Sequence, residues 1–307
     1  MDNVKRFFQS VRRNVDEQGI SGLLDTGTAV KNYAVRRLNV RRGTNVYERD
    51  WDVLVLLDCA RVDMVESLAE EFPFLDPVGT HPTPGTNSAE WMDVTFVDEY
   101  ADEMGRTVHL TANPNSADHL DGDDFDRLEE IWRFGWDEEQ GTVPARTVTD
   151  RAIAAGREHR PERMIVHYMQ PHPPFVTRPD MDAVQVTRPG DERRGMNVRE
   201  LHEEGGHSLD ELWEAHLENL RYVLSDVELL RENLDADRLV VSADHGQALG
   251  EEDVIGHPAS STAGVVRQVP WCETTARDTG AYRPETSERA DEPAVSVEEK
   301  LEHLGYR

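Results

Sequence analysis

The sequence has few cysteines, little lysine and no long hydrophobic run. Its two cysteines, Cys59 and Cys272, provide neither a disulfide framework nor the ligand spacing of a zinc site. Each lies at the end of an apolar run, where small buried thiols are common. No apolar stretch approaches the roughly 20 residues that span a membrane, and no signal-peptide core follows the start. We therefore predict a soluble protein of a reducing, cytoplasmic compartment.

Positive charge is also scarce. The 307 residues include 33 Lys or Arg and 61 Asp or Glu, which gives a formal net charge of −28. Nucleic-acid binding needs a basic surface, so we expect no nucleic-acid partner. The apolar content of 37% is ordinary and excludes a disordered acidic chain. A folded surface this acidic suits a high-salt cytoplasm, where screening reduces self-repulsion, and it predicts a halophilic source.

Residues 1–43 differ from the rest, because nine Lys or Arg stand there against four Asp or Glu. Val4, Phe7, Val11 and Val15 are spaced for one face of a helix. Two interpretations remain open. The basic amphipathic helix lies on an anionic membrane surface at the inner face, or it packs on the acidic domain of its own chain.

Strand and helix patterns alternate along residues 44–280, which we expect to form one catalytic domain. Strands are predicted at 53–57, 105–114, 164–168 and 239–243, with the longest helix starting near Leu209. One more strand, near an edge of the sheet, is expected around Pro270, which cannot donate to a ladder. This alternation indicates an α/β fold with a mostly parallel sheet.

Three segments are expected to lie outside that pattern. The acidic run at 120–139 is predicted to be a helical surface insertion. The polar, glycine-rich stretch at about 176–208 is predicted to be a lid-like loop beside the site. Residues 281–307 are expected to form a linker and a short helix over 297–304.

Acids and imidazoles follow three of the predicted strands: Asp58 after the first, His167 and His172 around the third, and Asp244-His245 after "LVVSA". An Asp at a strand end is often only a turn former or helix cap. In an open α/β sheet, however, ligands gather at the carboxyl edge, and clustered buried carboxylates need a cation between them. Two Asp and one His suit zinc or manganese.

The segments "VLVLLDCARVD", "GTNSAEWM", "HYMQPHPPF" and "VVSADHGQALGE…IGHP" together resemble the alkaline phosphatase superfamily, in its sulfatase-like and phosphoglycerol-transferase-like branch. The resemblance implies a three-layer α/β/α sandwich. It implies that Asp58, Asp244 and His245 bind metal and that a hydroxyl at a helix start is the nucleophile. Ser88 is favoured for this role and as a fourth metal ligand, with Thr86 as the runner-up; a helix N-cap is the alternative role of Ser88.

The same resemblance implies that His172 contacts the charged group or leaving oxygen, and that His257 assists the leaving group or binds a second metal. Cysteine-type sulfatases need C-x-P-x-R, where this chain has "SAEWM". The further Asp of two-metal members is also missing, so one manganese or zinc ion is favoured over two, with His172 and His257 as candidates for a second site. Arg61 is interpreted as an arginine on a helix surface.

The resemblance thus predicts a metal-dependent hydrolase or transferase acting on a phosphate ester, and less readily on a sulfate ester, with glycan- or lipid-linked substrates as candidates. The alternative function is a catalytically degenerate member that binds a glycan or partner, at a membrane surface if residues 1–43 contact lipid.

Overall fold

The computed structural model describes residues 43–181, 196–286 and 297–305. Its strands are β1 (Val53–Leu57), β2 (Gly79–Pro82), β3 (Thr107–Thr111), β4 (Arg127–Glu130), β5 (Arg163–Tyr168), β6 (Ala236–Ser242), β7 (Ala248–Leu249), β8 (Ile255–Gly256) and β9 (Gln268–Ala276). Seven of them form one sheet in the order β2-β9-β6-β1-β5-β3-β4, and β7 pairs with β8. Within this seven-stranded sheet β9 runs antiparallel to its neighbours, β2 and β6, and the other described pairings are parallel. The expected mostly parallel sheet is confirmed.

Helices cover both faces of this sheet. They are α1 (Val62–Leu68), α2 (Ser88–Thr95), α3 (Ala101–Met104), α4 (Ser116–His119), α5 (Ala145–His159), α6 (Val198–Glu203), α7 (Leu209–Arg231), α8 (Gly264–Arg267) and α9 (Val297–His303). Short 3-10 turns stand at Val46–Glu48, Pro73–Leu75, Asp98–Tyr100, Gly122–Asp124, Ile131–Arg133 and Glu251–Asp253. The predicted longest helix is α7, whose amino end is fixed by a capping box between Ser208 and Glu211.

The central strand β1 is buried on both faces, as its unbroken apolar run predicts. Val53, Val55 and Leu57 belong to the core under α1, α5 and α7. Leu54 and Leu56 belong to the opposite core, which Trp91 and Met92 of α2 complete. The successive side chains of one strand therefore join two separate cores, and the fold is the α/β/α sandwich that was expected.

β9, the strand that contains Pro270, is second from one edge of the sheet. β9 pairs with β6 on one side and with the short edge strand β2 on the other, where Pro270 faces Thr80. The Pro270 carbonyl accepts a hydrogen bond of 2.7 Å from Ser242 Oγ. β2 was not predicted, because "GTHP" is too short and too polar to show a strand pattern.

The prediction of a helical insertion at 120–139 is wrong. This segment holds two 3-10 turns and β4, which pairs in parallel with β3 as the outermost strand. Glu129 of β4 contacts Arg127 at 2.6 Å and Arg151 at 2.5 Å, and Glu130 contacts Arg133 at 2.6 Å. Two of the acids that resembled an exposed helix face are thus paired with arginines on the edge strand of the sheet.

Several predictions fall wholly or partly outside the described residues. Of the basic segment 1–43, only Gly43 is described, and residues 182–195 of the predicted lid are not described either. The described part of that lid includes α6. The short carboxyl-terminal helix is confirmed as α9. In the part of the chain that the structure describes, no helix combines the length and the hydrophobicity that a membrane span requires.

Candidate metal centre

The predicted convergence of strand ends is confirmed. β1 pairs in parallel with both β5 and β6, so their carboxyl ends share one edge of the sheet. Asp58 follows β1, and Asp244-His245 follows β6 after one residue. All three side chains are fully buried. The site therefore forms where the parallel strands of the central sheet end.

Asp58, Asp244 and His245 form a group with the geometry of a metal site. Each offers one ligand atom, and these atoms lie within 4.8 Å of one another. Two carboxylate charges about 4 Å apart repel by about 4 kcal/mol even at an effective dielectric of 20. Asp244 Oδ2 makes no hydrogen bond with the described residues. A divalent cation between these groups would remove the repulsion, so the donor set fits a metal ion.

The hydrogen bonds of His245 support the same conclusion. Its Nδ1 lies 3.0 Å from the Gly246 carbonyl, which can only accept, so Nδ1 carries a proton and donates it there. Nε2 then faces two carboxylates, with Asp58 Oδ1 at 3.4 Å and Asp244 Oδ2 at 3.5 Å. A cation among these three atoms would bind Nε2 through its lone pair, with the Nδ1–H bond to the carbonyl fixing the ring.

Ser88 joins the group, as the sequence predicts. Its Oγ donates to Asp58 Oδ2 at 3.2 Å and lies 3.4 Å from His245 Nε2. Asn87 caps α2 by accepting from the Glu90 amide at 2.8 Å. Ser88 is therefore the first residue of the helix, and the alternative that Ser88 is the N-cap is wrong. Its hydroxyl sits at the positive end of the helix dipole, where an anionic ester is favoured.

Thr86 points elsewhere. Its Oγ1 donates to Glu90 Oε2 at 2.6 Å and lies 3.1 Å from the Pro258 carbonyl. Glu90 also accepts from Ser260 Oγ at 3.1 Å. Thr86 and Glu90 together tie the loop that carries His257 to the start of α2.

His172 and His257 form a pair beside the three metal-ligand candidates. Their Nε2 atoms are 3.3 Å apart, and the His257 ring lies 4.4 Å from the His245 ring. Burial lowers the pKa of His172 to about 3 and that of His257 well below its ordinary value. Because the Nδ1 of neutral His172 donates to the Pro173 carbonyl, its Nε2 accepts the Nε2–H of His257.

The surroundings of the two carboxylates include residues that sequence reasoning did not select. Asn113 Nδ2 donates to Asp58 Oδ2 at 3.0 Å, and Thr83 donates to the Asp244 carbonyl. His167, which the sequence places around the third predicted strand, lies with its Nε2 3.7 Å from Asp244 Oδ2. Burial opposes ionisation of Asp244, but the nearby His245 and His167 outweigh it and lower the pKa of this carboxyl.

Arg61 is not an arginine on a helix surface. It is 3% exposed and contacts Asp63 at 2.6 Å and Glu251 at 2.7 Å. It also donates to the Gln247 carbonyl at 3.0 Å. Two carboxylates neutralise its charge, and its task in the structure is to hold the chain after His245.

Cys59 follows Asp58 in a left-handed conformation with φ of 61°. Its amide donates to Asp244 Oδ1 at 3.3 Å, so this turn links the two carboxylates. Burial, followed by the charges of Asp58 and Asp244, raises the pKa of its thiol well above the ordinary value. Both cysteines are free and buried, as predicted.

Comparison with known proteins gives structural neighbours but no sequence relatives. No family model matches the chain, and no curated protein matches it significantly. The fold is similar to the soluble domain of lipooligosaccharide phosphoethanolamine transferase A from Neisseria meningitidis, at 14% identity and a TM-score of 0.44, over 72% of this chain and 75% of that one.

Two further neighbours are similar at the same level. An alkaline phosphatase superfamily protein from Vibrio parahaemolyticus is 11% identical, with a TM-score of 0.42, over 81% of this chain and 69% of that one. A 2-O GAG sulfatase is 12% identical, with a TM-score of 0.46, over 73% of this chain. The chain spans 63% of the length of that sulfatase.

Proposed function

We propose that this chain is a metal-dependent phosphoester hydrolase or transferase in which Ser88 is the nucleophile. The observation that carries the proposal is the contact of Ser88 Oγ with both Asp58 and His245, two members of the buried metal-ligand group. Asp58, Asp244, His245 and Ser88 would hold one manganese or zinc ion. When bound, such an ion supplies Lewis acidity, which lowers the pKa of a hydroxyl and offsets charge on an ester oxygen.

The chain's own residues then account for the transfer. Ser88 Oγ attacks phosphorus, and its proton passes to Asp58 Oδ2, 3.2 Å away. The bond from phosphorus to the leaving oxygen breaks, the Nε2–H of His257, positioned by its contact with His172, stabilises that oxygen by a hydrogen bond, and water supplies its proton. Water or an acceptor alcohol then attacks the phosphoserine and gives up its proton to solvent. The bond from phosphorus to Ser88 Oγ breaks, and Asp58 returns the first proton to Ser88.

Phosphate is favoured over sulfate because the nucleophile is a serine. A cysteine-type sulfatase converts the Cys of C-x-P-x-R, and this chain has Ser88, Glu90 and Met92 at the positions of the Cys, Pro and Arg. The proposed substrate class is therefore a phosphate ester first and a sulfate ester second, with a glycan or a lipid as the linked group.

The test is a screen of phosphomonoesters, phosphodiesters and sulfate esters with the full chain in molar KCl and added manganese or zinc. Ser88→Ala should lower turnover by at least about a thousandfold while metal stays bound. Quenched reactions should contain a phosphorylated peptide with Ser88. Thr86→Val is the matched control and should keep turnover within about tenfold, because its hydroxyl contacts Glu90 and Pro258.

A full rate in Ser88→Ala would contradict the role of this serine. Metal binding without turnover of any ester would support the alternative, a degenerate protein that binds a glycan or partner.

The cytoplasmic location and the membrane contact through residues 1–43 also remain proposals. Liposome binding by the full chain, compared with a chain that starts at residue 44, tests the contact. Equal binding by both would reject it.

A further inference from the structure

A cavity of about 370 Å³ is lined in part by Asn87 and Ala89, the residues on either side of Ser88. It lies between the amino end of α2, the turn and helix after β3, the start of α6, the loop that carries His257, and α9. Its size falls in the range of small-molecule sites. Because His257 belongs to its wall, the cavity adjoins the side of the site where a leaving group would depart.

Gln247 is the most unusual residue of this wall. It follows the Asp244-His245-Gly246 run and is fully buried. Neither Oε1 nor Nε2 of its side chain makes a hydrogen bond with the described residues. Burying an amide without a partner is unfavourable, so such a group indicates a ligand that supplies the missing donor and acceptor.

Three asparagines add amides to the same cavity. Asn87 and Asn197 each use Oδ1 to cap a helix, which leaves Nδ2 as the group to offer to a ligand. Asn115 donates to Asn113, which donates to Asp58. This chain of amides connects the cavity wall to the metal-ligand group.

The charges of the wall do not favour an anion. The wall includes Arg199, whose guanidinium pairs with Glu203 at 3.1 Å and donates to the Ile255 carbonyl at 3.3 Å. Asp118 adds a negative charge to the same wall. An amide-rich wall with balanced charge matches groups that both donate and accept hydrogen bonds, which are hydroxyls.

We propose that this cavity binds a polyhydroxylated alcohol, the organic part of the ester, and that Gln247 determines specificity by hydrogen-bonding two of its hydroxyls. This inference rests on the proposed function, because it identifies the organic part of the proposed ester substrate as a sugar or glycerol unit. A flat aryl group of similar size would leave both atoms of the Gln247 amide unpaired.

Equilibrium binding tests this proposal without requiring turnover. Ligand-observed NMR would compare methyl glucoside, glycerol and phenol as probes of the metal-loaded chain. The wild-type protein should bind at least one polyol and should bind phenol at least tenfold more weakly. Gln247→Met keeps the length of the side chain and removes its donor and acceptor, so it should weaken polyol binding about tenfold.

The matched control is Gln268→Met, because Gln268 is an exposed glutamine at the start of β9. It should bind the polyols as the wild type does. The melting temperature of Gln247→Met should equal or exceed that of the wild type, since an unpaired buried amide is removed.

Three outcomes would overturn the inference: no polyol binding by the wild type, equal polyol binding by Gln247→Met, or a lower melting temperature of this variant, which would give the amide a structural role. Preference for the glucoside indicates a sugar ester, and preference for glycerol indicates a glycerophosphate. Failure of the proposed catalysis would appear separately, as polyol binding without turnover of any ester.

Discussion

Gly246→Ala is the substitution whose effect the structure defines most sharply. Gly246 is not among the glycines with positive φ, so its role is not a turn conformation that only glycine adopts. Its role is close approach: a Cβ there would lie 2.0 Å from the Val265 carbonyl oxygen and 3.1 Å from the Val265 carbonyl carbon. The Gly246 amide also donates to the Val266 carbonyl at 2.9 Å, which fixes this distance.

The atoms that this Cβ would clash with belong to the backbone, so no side chain can move away to relieve the clash. Overpacking of this kind costs about 1–3 kcal/mol of unfolding free energy. Because Gly246 follows His245 directly, the displacement should also weaken metal binding. Urea denaturation of the metal-free protein measures the first effect, and calorimetric titration with manganese measures the second.

Gly264→Ala is the matched control, because Gly264 directly precedes Val265, the residue with which a Cβ on Gly246 would clash. A Cβ on Gly264 meets only the flexible Glu252 Oε1, at 3.6 Å, and alanine favours the helix by up to about 1 kcal/mol. We expect this variant to equal or exceed the wild type in stability. If Gly246→Ala and Gly264→Ala proved equally stable and bound metal equally, the reasoning from close approach would be refuted.

Two further predictions concern stability. Burial lowers the pKa of His81 to about 4. Since the unfolded chain binds this proton near pH 6.5, stability should fall as pH decreases from 6.5 towards 4, by up to about 3 kcal/mol. His81→Phe should therefore lose less unfolding free energy than the wild type between pH 7 and pH 4.5, as measured by urea denaturation at both pH values. An equal loss in the two proteins would refute this prediction. Arg61→Met should lower the unfolding free energy by about 1–3 kcal/mol, because the Gln247 carbonyl loses its donor, and an unchanged urea midpoint would reject this role.

The sheet could be predicted from the sequence because its central strands carry their own signal. β1 and residues 239–241 of β6 are apolar runs buried on both faces, and each strand is followed closely by an acid, Asp58 or Asp244, at the carboxyl edge of the sheet. β2 and β4 carry no such signal. β2 is formed by pairing with β9, and β4 by pairing with β3, so both depend on partners far away in the chain.

The residues of the candidate site likewise fall into those that the sequence predicts and those that it does not. Asp58, Asp244 and His245 follow predicted strands, so their meeting follows from the order of the sheet. Asn113 could not be selected, because an Asn before a Pro suggests only a turn, and its contact with Asp58 depends on β3 lying one strand beyond β5.

The choice between Ser88 and Thr86 also needed the structure. The two hydroxyls are two residues apart, and the cap formed by Asn87 sets which of them faces Asp58 and His245. The same is true of Arg61, whose burial depends on Glu251, a residue from a distant part of the chain.

Metal binding by the purified wild-type chain and by Asp244→Asn tests the central claim most directly. Asn keeps the shape of Asp244 and removes one of the two facing carboxylate charges. The wild type should bind about one manganese or zinc ion per chain and gain stability from it, by about 2.7 kcal/mol at a hundredfold excess over Kd. Asp244→Asn should lose this binding and the stability that it provides. A wild-type chain that binds no metal, or a variant that binds it equally well, would contradict the account.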